Sequence, residues 1–203
     1  MYKIKILFLV FRSYRKKILE IIFFEFFYSL KYFFNGNKYK IHNDNFKTDT
    51  IPCPYFFIHK ISQFINENKI PNLADLGCGY GRITNFLGDT TYASIQGYEI
   101  DKDVFGEALK NKKKNITIKC ENILNINYND LNTECFIMND PLKKKNDLEN
   151  LVKKIHLSKH NLGKKYYLIT INIGEDKNYI FEKYKLIKTI SAGPTKNVKF
   201  YCN

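Results

Sequence analysis

The strongest constraint on this chain lies in residues 72–83, "NLADLGCGYGRI". Asp75 closes a short apolar run, and glycines follow at 77, 79 and 81. The chain has 10 glycines in 203 residues, so three within five positions mark a backbone that needs positive φ or close approach to a ligand. A strand that enters such a loop and leaves it as a helix forms a cradle for a small molecule. The spacing is GxGxG rather than the GxGxxG of dinucleotide loops, which set a helix N-terminus against a pyrophosphate. The acidic side chain just ahead of the loop repels phosphate and welcomes an ammonium group. The expected ligand therefore carries an amine, a carboxylate and a flat group.

The surrounding pattern agrees with that placement. From Tyr55 the apolar residues fall at 55, 58, 61, 64 and 65, a helical stripe, and Pro52 and Pro54 suit its start. Residues 72–76 read as a strand, 81–87 as a helix, 93–99 as a strand, 102–111 as a helix and 115–120 as a strand. Strands follow at 134–138 and 166–173, with a helix at 147–160 between them. A short helix at 175–184 and two strands near 186–191 and 197–202 complete the series. Strands alternating with helices imply βαβ crossovers and a mostly parallel sheet. Ligands of such sheets bind beyond the C-terminal strand ends, where the strand order reverses. The glycine loop stands at the end of the first strand. We read one domain at residues 51–203 behind a basic, aromatic helical arm and connection at 1–50.

Charge and cysteines narrow the setting. The net charge of +13 is concentrated: residues 1–50 carry 10 Lys/Arg against 4 Asp/Glu, and residues 143–165 carry 8 against 2. Solvated faces explain most of this, and a basic surface for an anionic partner is the functional alternative. Cys53, Cys78, Cys120, Cys135 and Cys202 are scattered without a CxxC pair, which points to a reducing, cytoplasmic setting. The apolar stretches of residues 1–34 are interrupted by Lys5, Arg12, Lys17, Glu20, Glu25 and Lys31, too often for a span of about 18 uncharged residues. No small-residue cleavage site follows "ILFLVFRSYRKK". Two readings of the arm remain: an interfacial helix at the inner face of a membrane, and phenylalanines of residues 21–34 packed on the domain or a partner subunit, which we favour.

A second acidic landmark follows the first. Gly97-Tyr98-Glu99-Ile100-Asp101 ends the second strand, with Glu99 24 residues after Asp75. A carboxylate there accepts both hydroxyls of a ribose. After the third strand, Glu121-Asn122-Ile123 offers a polar side chain for an adenine edge, and "NDPL" (139–142) follows the fourth strand. "DLGCGYGR", "GYEID" and "NDPL" together resemble the class I S-adenosylmethionine-dependent methyltransferases over about residues 52–203. The resemblance implies a Rossmann-like three-layer α/β sandwich whose seven-stranded, mostly parallel sheet has its last strand antiparallel. It implies S-adenosyl-L-methionine as cofactor. In that reading Asp75 attracts the methionine ammonium and orients the loop formed by Gly77, Cys78, Gly79 and Gly81. Glu99 binds the ribose with Ile100 beside it, and Asn122 meets the adenine. "PCPY" (52–55) also resembles small bacterial methyltransferases linked to surface-polysaccharide genes. Two departures stand out: Asn122 replaces the usual aspartate, and "DPL" replaces an Asn-Pro-aromatic element.

The resemblance assigns the remaining roles. Asp140 is the candidate catalytic group, aligning or deprotonating an acceptor hydroxyl or amine, and Pro141 stiffens its turn. Tyr55 and Pro141 are expected to line the substrate pocket. Asp101 is expected to cap the helix after it. Arg82 either meets an acidic neighbour or lies on the surface. His42, His59, His156 and His160 show no ligand spacing and read as surface residues, with no metal expected. The acceptor is read as a glycan or small molecule. A nucleic acid ranks lower because Leu142 cannot stack a flipped base. A protein lysine, or a degenerate scaffold that binds a partner, stands as the alternative.

Overall fold

The computed structural model describes residues 17–31, 38–42, 48–110, 112–193 and 196–203. Helix α1 (Ile18–Lys31) precedes α2 (Tyr55–Glu67). Strands and helices then alternate as β1 (Asn72–Leu76), α3 (Arg82–Thr90), β2 (Ser94–Glu99), α4 (Lys102–Leu109) and β3 (Ile116–Cys120). Next come β4 (Cys135–Asn139), α5 (Lys145–Asn161), β5 (Tyr167–Ile171), β6 (Lys185–Ser191) and β7 (Asn197–Cys202). The sheet has seven strands in the order β3-β2-β1-β4-β5-β7-β6. β1 to β5 are parallel, and β7 runs antiparallel between β5 and β6. The Rossmann-like three-layer sandwich expected from the sequence is the observed architecture.

The pleat explains why this sheet is buried on both sides. Side chains alternate across a strand, so Leu73 of β1 enters one apolar cluster while Ala74 and Leu76 enter the other. β4 divides likewise, Cys135 and Ile137 against Phe136 and Met138. Helices α1, α2 and α3 cover the first face; α5 and the segments at 123–131 and 173–184 cover the second. Continuous apolar strands are what a sheet covered by helices on both faces requires. β6, at the edge, is mostly exposed and carries Lys185 and Lys188, charges that discourage pairing with another chain.

One element differs from expectation. Residues 175–184 read as a short helix, but Glu175–Phe181 is a 3-10 helix. Its three-residue turn stacks Lys177 above Ile180, and both are buried. An α-helical pitch would swing one of them off that face.

The arm docks through one carboxylate. On α1, Ile21 is buried, and Phe24 and Tyr28 pack edge-on against Phe56 and Phe86 at 5.9 and 4.9 Å between ring centres. Between them, Glu25 Oε1 accepts from the Tyr55 amide at 2.5 Å, capping a helix whose N-cap, Pro54, offers no side-chain hydrogen bond. Glu25 Oε2 accepts from Arg82 Nη2, and the Arg82 guanidinium lies 3.8 Å above the Tyr55 ring. Arg82 is thus buried beside an acidic neighbour. The favoured packing of the arm on the domain holds for Phe24 but not for Phe23, Phe26 and Phe27, which face outward because one side of the helix already fills the contact with the domain; Phe33 and Phe34 lie outside the described residues.

Removing Glu25 leaves a buried guanidinium uncompensated and the α2 N-terminus uncapped. Glu25→Ala should lower unfolding free energy by about 2–3 kcal/mol, read by urea denaturation. Phe23→Ser, on the opposite face of α1, should change it by less than about 0.5 kcal/mol. Equal effects would remove Glu25 from its place in holding the arm.

Candidate functional site

A cleft of about 1070 Å³, including its open mouth, opens at the C-terminal ends of β1, β2 and β4. This is where the strand order reverses, since β1 pairs with β2 on one side and β4 on the other.

The glycine loop leaves β1 with positive φ at Gly77, Gly79 and Gly81, namely 83°, 55° and 80°. At Gly77 an added Cβ would sit 3.0 Å from Pro141 Cβ, so the absence of a side chain lets the loops after β1 and β4 touch. At Gly79 it would sit 2.7 Å from Thr50. The loop amides are engaged internally: those of Gly77 and Cys78 donate to Tyr98 O, both at 2.9 Å. Gly79 N donates to Glu99 Oε2 at 2.9 Å. These three amides therefore offer shape to a ligand rather than vacant donors.

Glu99 is the polar centre of the cleft. Its other oxygen, Oε1, accepts from Asp101 N at 2.8 Å. A carboxylate has about four acceptor positions. Two remain for the paired hydroxyls of a ribose. Asp101 caps α4 as expected, its Oδ1 accepting from Asp103 N and Val104 N at 3.0 and 3.1 Å.

Asp75 lies beneath the loop. It is buried, its Oδ2 accepts from Thr84 Oγ1 at 2.6 Å, and its Oδ1 has no hydrogen-bond partner among the described residues. Burial, reinforced by the charge of Glu99 and opposed by Thr84, pushes its pKa up from 3.8 to about 6. The expectation that Asp75 orients the loop amides is corrected: the carboxylate engages the first turn of α3 instead. Its influence on a bound ammonium runs through charge in a low-dielectric interior, and the unpartnered oxygen is compatible with a cation above it.

Gly77, Cys78, Gly79, Glu99, Ile100, Asn122 and Pro141 line the cleft; Asp75, Gly81, Tyr55 and Asp140 do not. Gly81 stands behind the loop as the N-cap of α3. Tyr55 is wedged between Tyr28, Phe86 and Arg82, so ring packing holds it out of the cleft. Asp140 has φ of 40°, and its carboxylate accepts from Lys177 Nζ at 2.8 Å. The same ammonium donates to Leu142 O at 3.1 Å. This buried lysine draws Asp140 out of the lining, and Asn139, Leu142 and Asp147 take the cleft wall. Asn122 closes its own turn, its Oδ1 accepting from Leu124 N at 2.9 Å.

A strap that sequence reasoning left as a plain connection roofs the cleft. Lys40 and Thr50 form a two-residue antiparallel bridge, with Lys40 Nζ on both oxygens of Asp101 at 3.0 and 2.9 Å. Lys38 pairs with Glu107 at 2.6 Å. On the β4 side Thr48 Oγ1 donates to Pro141 O at 3.3 Å, and Lys143 Nζ to His42 O at 3.2 Å. His42, read as a surface residue, is buried 3.9 Å from Asp101 because the strap folds it inward. One signal was available. α2 leads into β1 through residues 68–71 alone, a connection short enough to return the start of α2, and whatever precedes Tyr55, to the C-terminal edge of the sheet.

No family model matches the chain, and no curated protein matches it. Solved structures do. A Staphylococcus aureus protein described as a caffeoyl-CoA O-methyltransferase superposes with a TM-score of 0.59 at 14% identity, over 87% of this chain and 91% of its own. The N-methyltransferase NodS from Bradyrhizobium japonicum, in complex with S-adenosyl-L-homocysteine, gives 0.58 at 12%, over 73% and 87%. An RNA methyltransferase from Salinibacter ruber, with the same ligand, gives 0.54 at 15%, over 75% and 93%. At these identities the likeness establishes the fold, which is that of the class I methyltransferases.

The raised pKa of Asp75 has a measurable sign. The folded protein holds this proton more tightly than the unfolded chain, so the stability it contributes is present below about pH 4 and lost as pH rises through about 6. Between pH 4 and 7 wild type should lose about 2 kcal/mol relative to Asp75→Asn. Urea titrations of both proteins at the two pH values measure it. Parallel pH profiles would place Asp75 in a solvated setting.

Proposed function

We propose that the chain is an S-adenosylmethionine-dependent methyltransferase acting on a glycan or another small molecule. One observation carries the reading: the buried Glu99 carboxylate is fixed by Gly79 N and Asp101 N and lines the cleft with spare acceptor positions. When bound, the cofactor supplies an activated methyl group on a sulfonium. Glu99 would hold its ribose hydroxyls, and Ile100 and Leu124 would offer apolar contact to a flat base. Asn122 keeps its amide nitrogen for a ring acceptor where an aspartate would only accept. Methyl transfer is an in-line displacement, for which holding the two reactants in register supplies much of the rate. Asn139, Leu142 and Asp147 form the β4 side of the cleft, and in this reading Asp147 would take a proton from a hydroxyl or amine acceptor.

The acceptor class rests on the cleft. The three neighbours are named for different acceptors, so the fold does not choose among them. The strap from residues 38–42 and 48–53 narrows the entrance, which favours a compact acceptor over a nucleic-acid strand. Leu142, at the position where a flipped base would be stacked, is aliphatic.

Calorimetry with S-adenosylhomocysteine tests the cofactor. Micromolar affinity is expected, and Glu99→Ala should weaken it by about 1.5–3 kcal/mol, because a charged acceptor for two hydroxyls is lost. Absence of heat at millimolar ligand would overturn the reading. Asp140→Asn should leave affinity within about threefold while lowering stability by about 1 kcal/mol, since Lys177 loses its charged partner. A large loss of affinity would return that carboxylate to the binding shell. Isotope transfer from labelled cofactor into fractionated glycan and metabolite pools, with protein and RNA pools in parallel, identifies the acceptor class; label only in protein or RNA would refute a small-molecule acceptor.

A further inference from the structure

The outer face of α1 plays no part in the cofactor cleft. Leu19, Ile22, Phe23, Phe26, Phe27 and Leu30 fall at i, i+3, i+4, i+7, i+8 and i+11, one continuous helical stripe, and are 47–79% exposed. Phe23 and Phe27 stack at 6.3 Å between ring centres. The inner stripe of Ile21, Phe24 and Tyr28 is already packed on the domain. A contiguous exposed face of six large apolar side chains marks an interaction surface.

The geometry points to an anionic phospholipid bilayer as the occupant of this face, with α1 lying in the plane of the interface. Charge supports the assignment. Residues 1–17, which lead into the helix, carry six Lys/Arg and no Asp/Glu. The two carboxylates of α1 are compensated: Glu20 pairs with Lys17 at 2.5 Å, and Glu25 is turned inward onto Arg82 and the Tyr55 amide. The stripe thus meets the surface with apolar side chains flanked by cations, the pattern of an interfacial helix. Among the described residues no helix is long and apolar enough to cross a membrane, so this contact is peripheral. A second copy of the chain is a poorer occupant. α1 has 14 residues and is about 21 Å long, so one face covers roughly a few hundred Å², below the ~800 Å² per partner of a stable dimer.

The chain contains no tryptophan, so a single introduced indole reports without background. In the full chain, Phe26→Trp emission should shift to the blue with phosphatidylcholine vesicles containing phosphatidylglycerol. Tyr92→Trp, an exposed site elsewhere on the domain, should not shift. Co-sedimentation should be about tenfold or more stronger with these vesicles than with phosphatidylcholine alone, and should weaken with salt. Phe23→Ser/Phe27→Ser should abolish it while circular dichroism and S-adenosylhomocysteine affinity stay unchanged. The proposal is overturned if neither vesicle type binds, or if the double variant binds as wild type does. It is equally overturned if the Phe26→Trp shift appears without vesicles and grows with protein concentration, the signature of self-association.

Discussion

One carboxylate ties the candidate site together. Glu99 accepts from Gly79 on one oxygen and from Asp101 on the other, so the end of β2, the glycine loop and the approach to α4 are held in one arrangement. A buried carboxylate without such donors would be costly. Two backbone amides compensate its charge while leaving room for further hydrogen bonds. Asp101, positioned by that contact, then caps α4 and receives Lys40 from the strap. The roof of the cleft is therefore fixed through the same short segment that builds its floor.

The two acidic residues of the site divide the work. Asp75 lies beneath the loop with burial pushing its pKa to about 6, whereas Glu99 faces the cleft and is satisfied by backbone donors. Their mutual repulsion adds to the raised pKa of Asp75. A cationic ligand end arriving above the loop relieves both effects, which an anionic phosphate would aggravate. Electrostatics thus separates this GxGxG site from a dinucleotide site more sharply than glycine spacing does.

What could be read from the sequence was local. The glycine loop, Glu99 at the end of β2 and the Asp101 cap depend on a few adjacent residues and on strand–helix alternation, so their residue types announce them. The contacts that decide the rest are distant: Arg82 meets Glu25 across 57 residues, and Lys177 meets Asp140 across 37. No periodicity encodes such pairs. Asp140 illustrates the consequence. Its position after β4 was legible, but its φ of 40° and its lysine partner, which together direct the side chain, were not. The strap was the recoverable omission, since the short connection from α2 to β1 already returned the preceding chain to the ligand-binding edge.

The arm and the cleft share a residue. Arg82 lines the cleft, begins α3 directly after Gly81, stacks on Tyr55 and donates to Glu25 of α1. α1 is therefore not an appendage joined only by apolar packing. Its single inward carboxylate compensates a guanidinium that would otherwise stand buried at the wall of the site, and it caps the helix carrying Tyr55. The helix presents one apolar face outward while its other face is held by this network together with the packing of Ile21, Phe24 and Tyr28. A surface that binds through α1 would thus bear on an element whose first turn also closes the glycine loop.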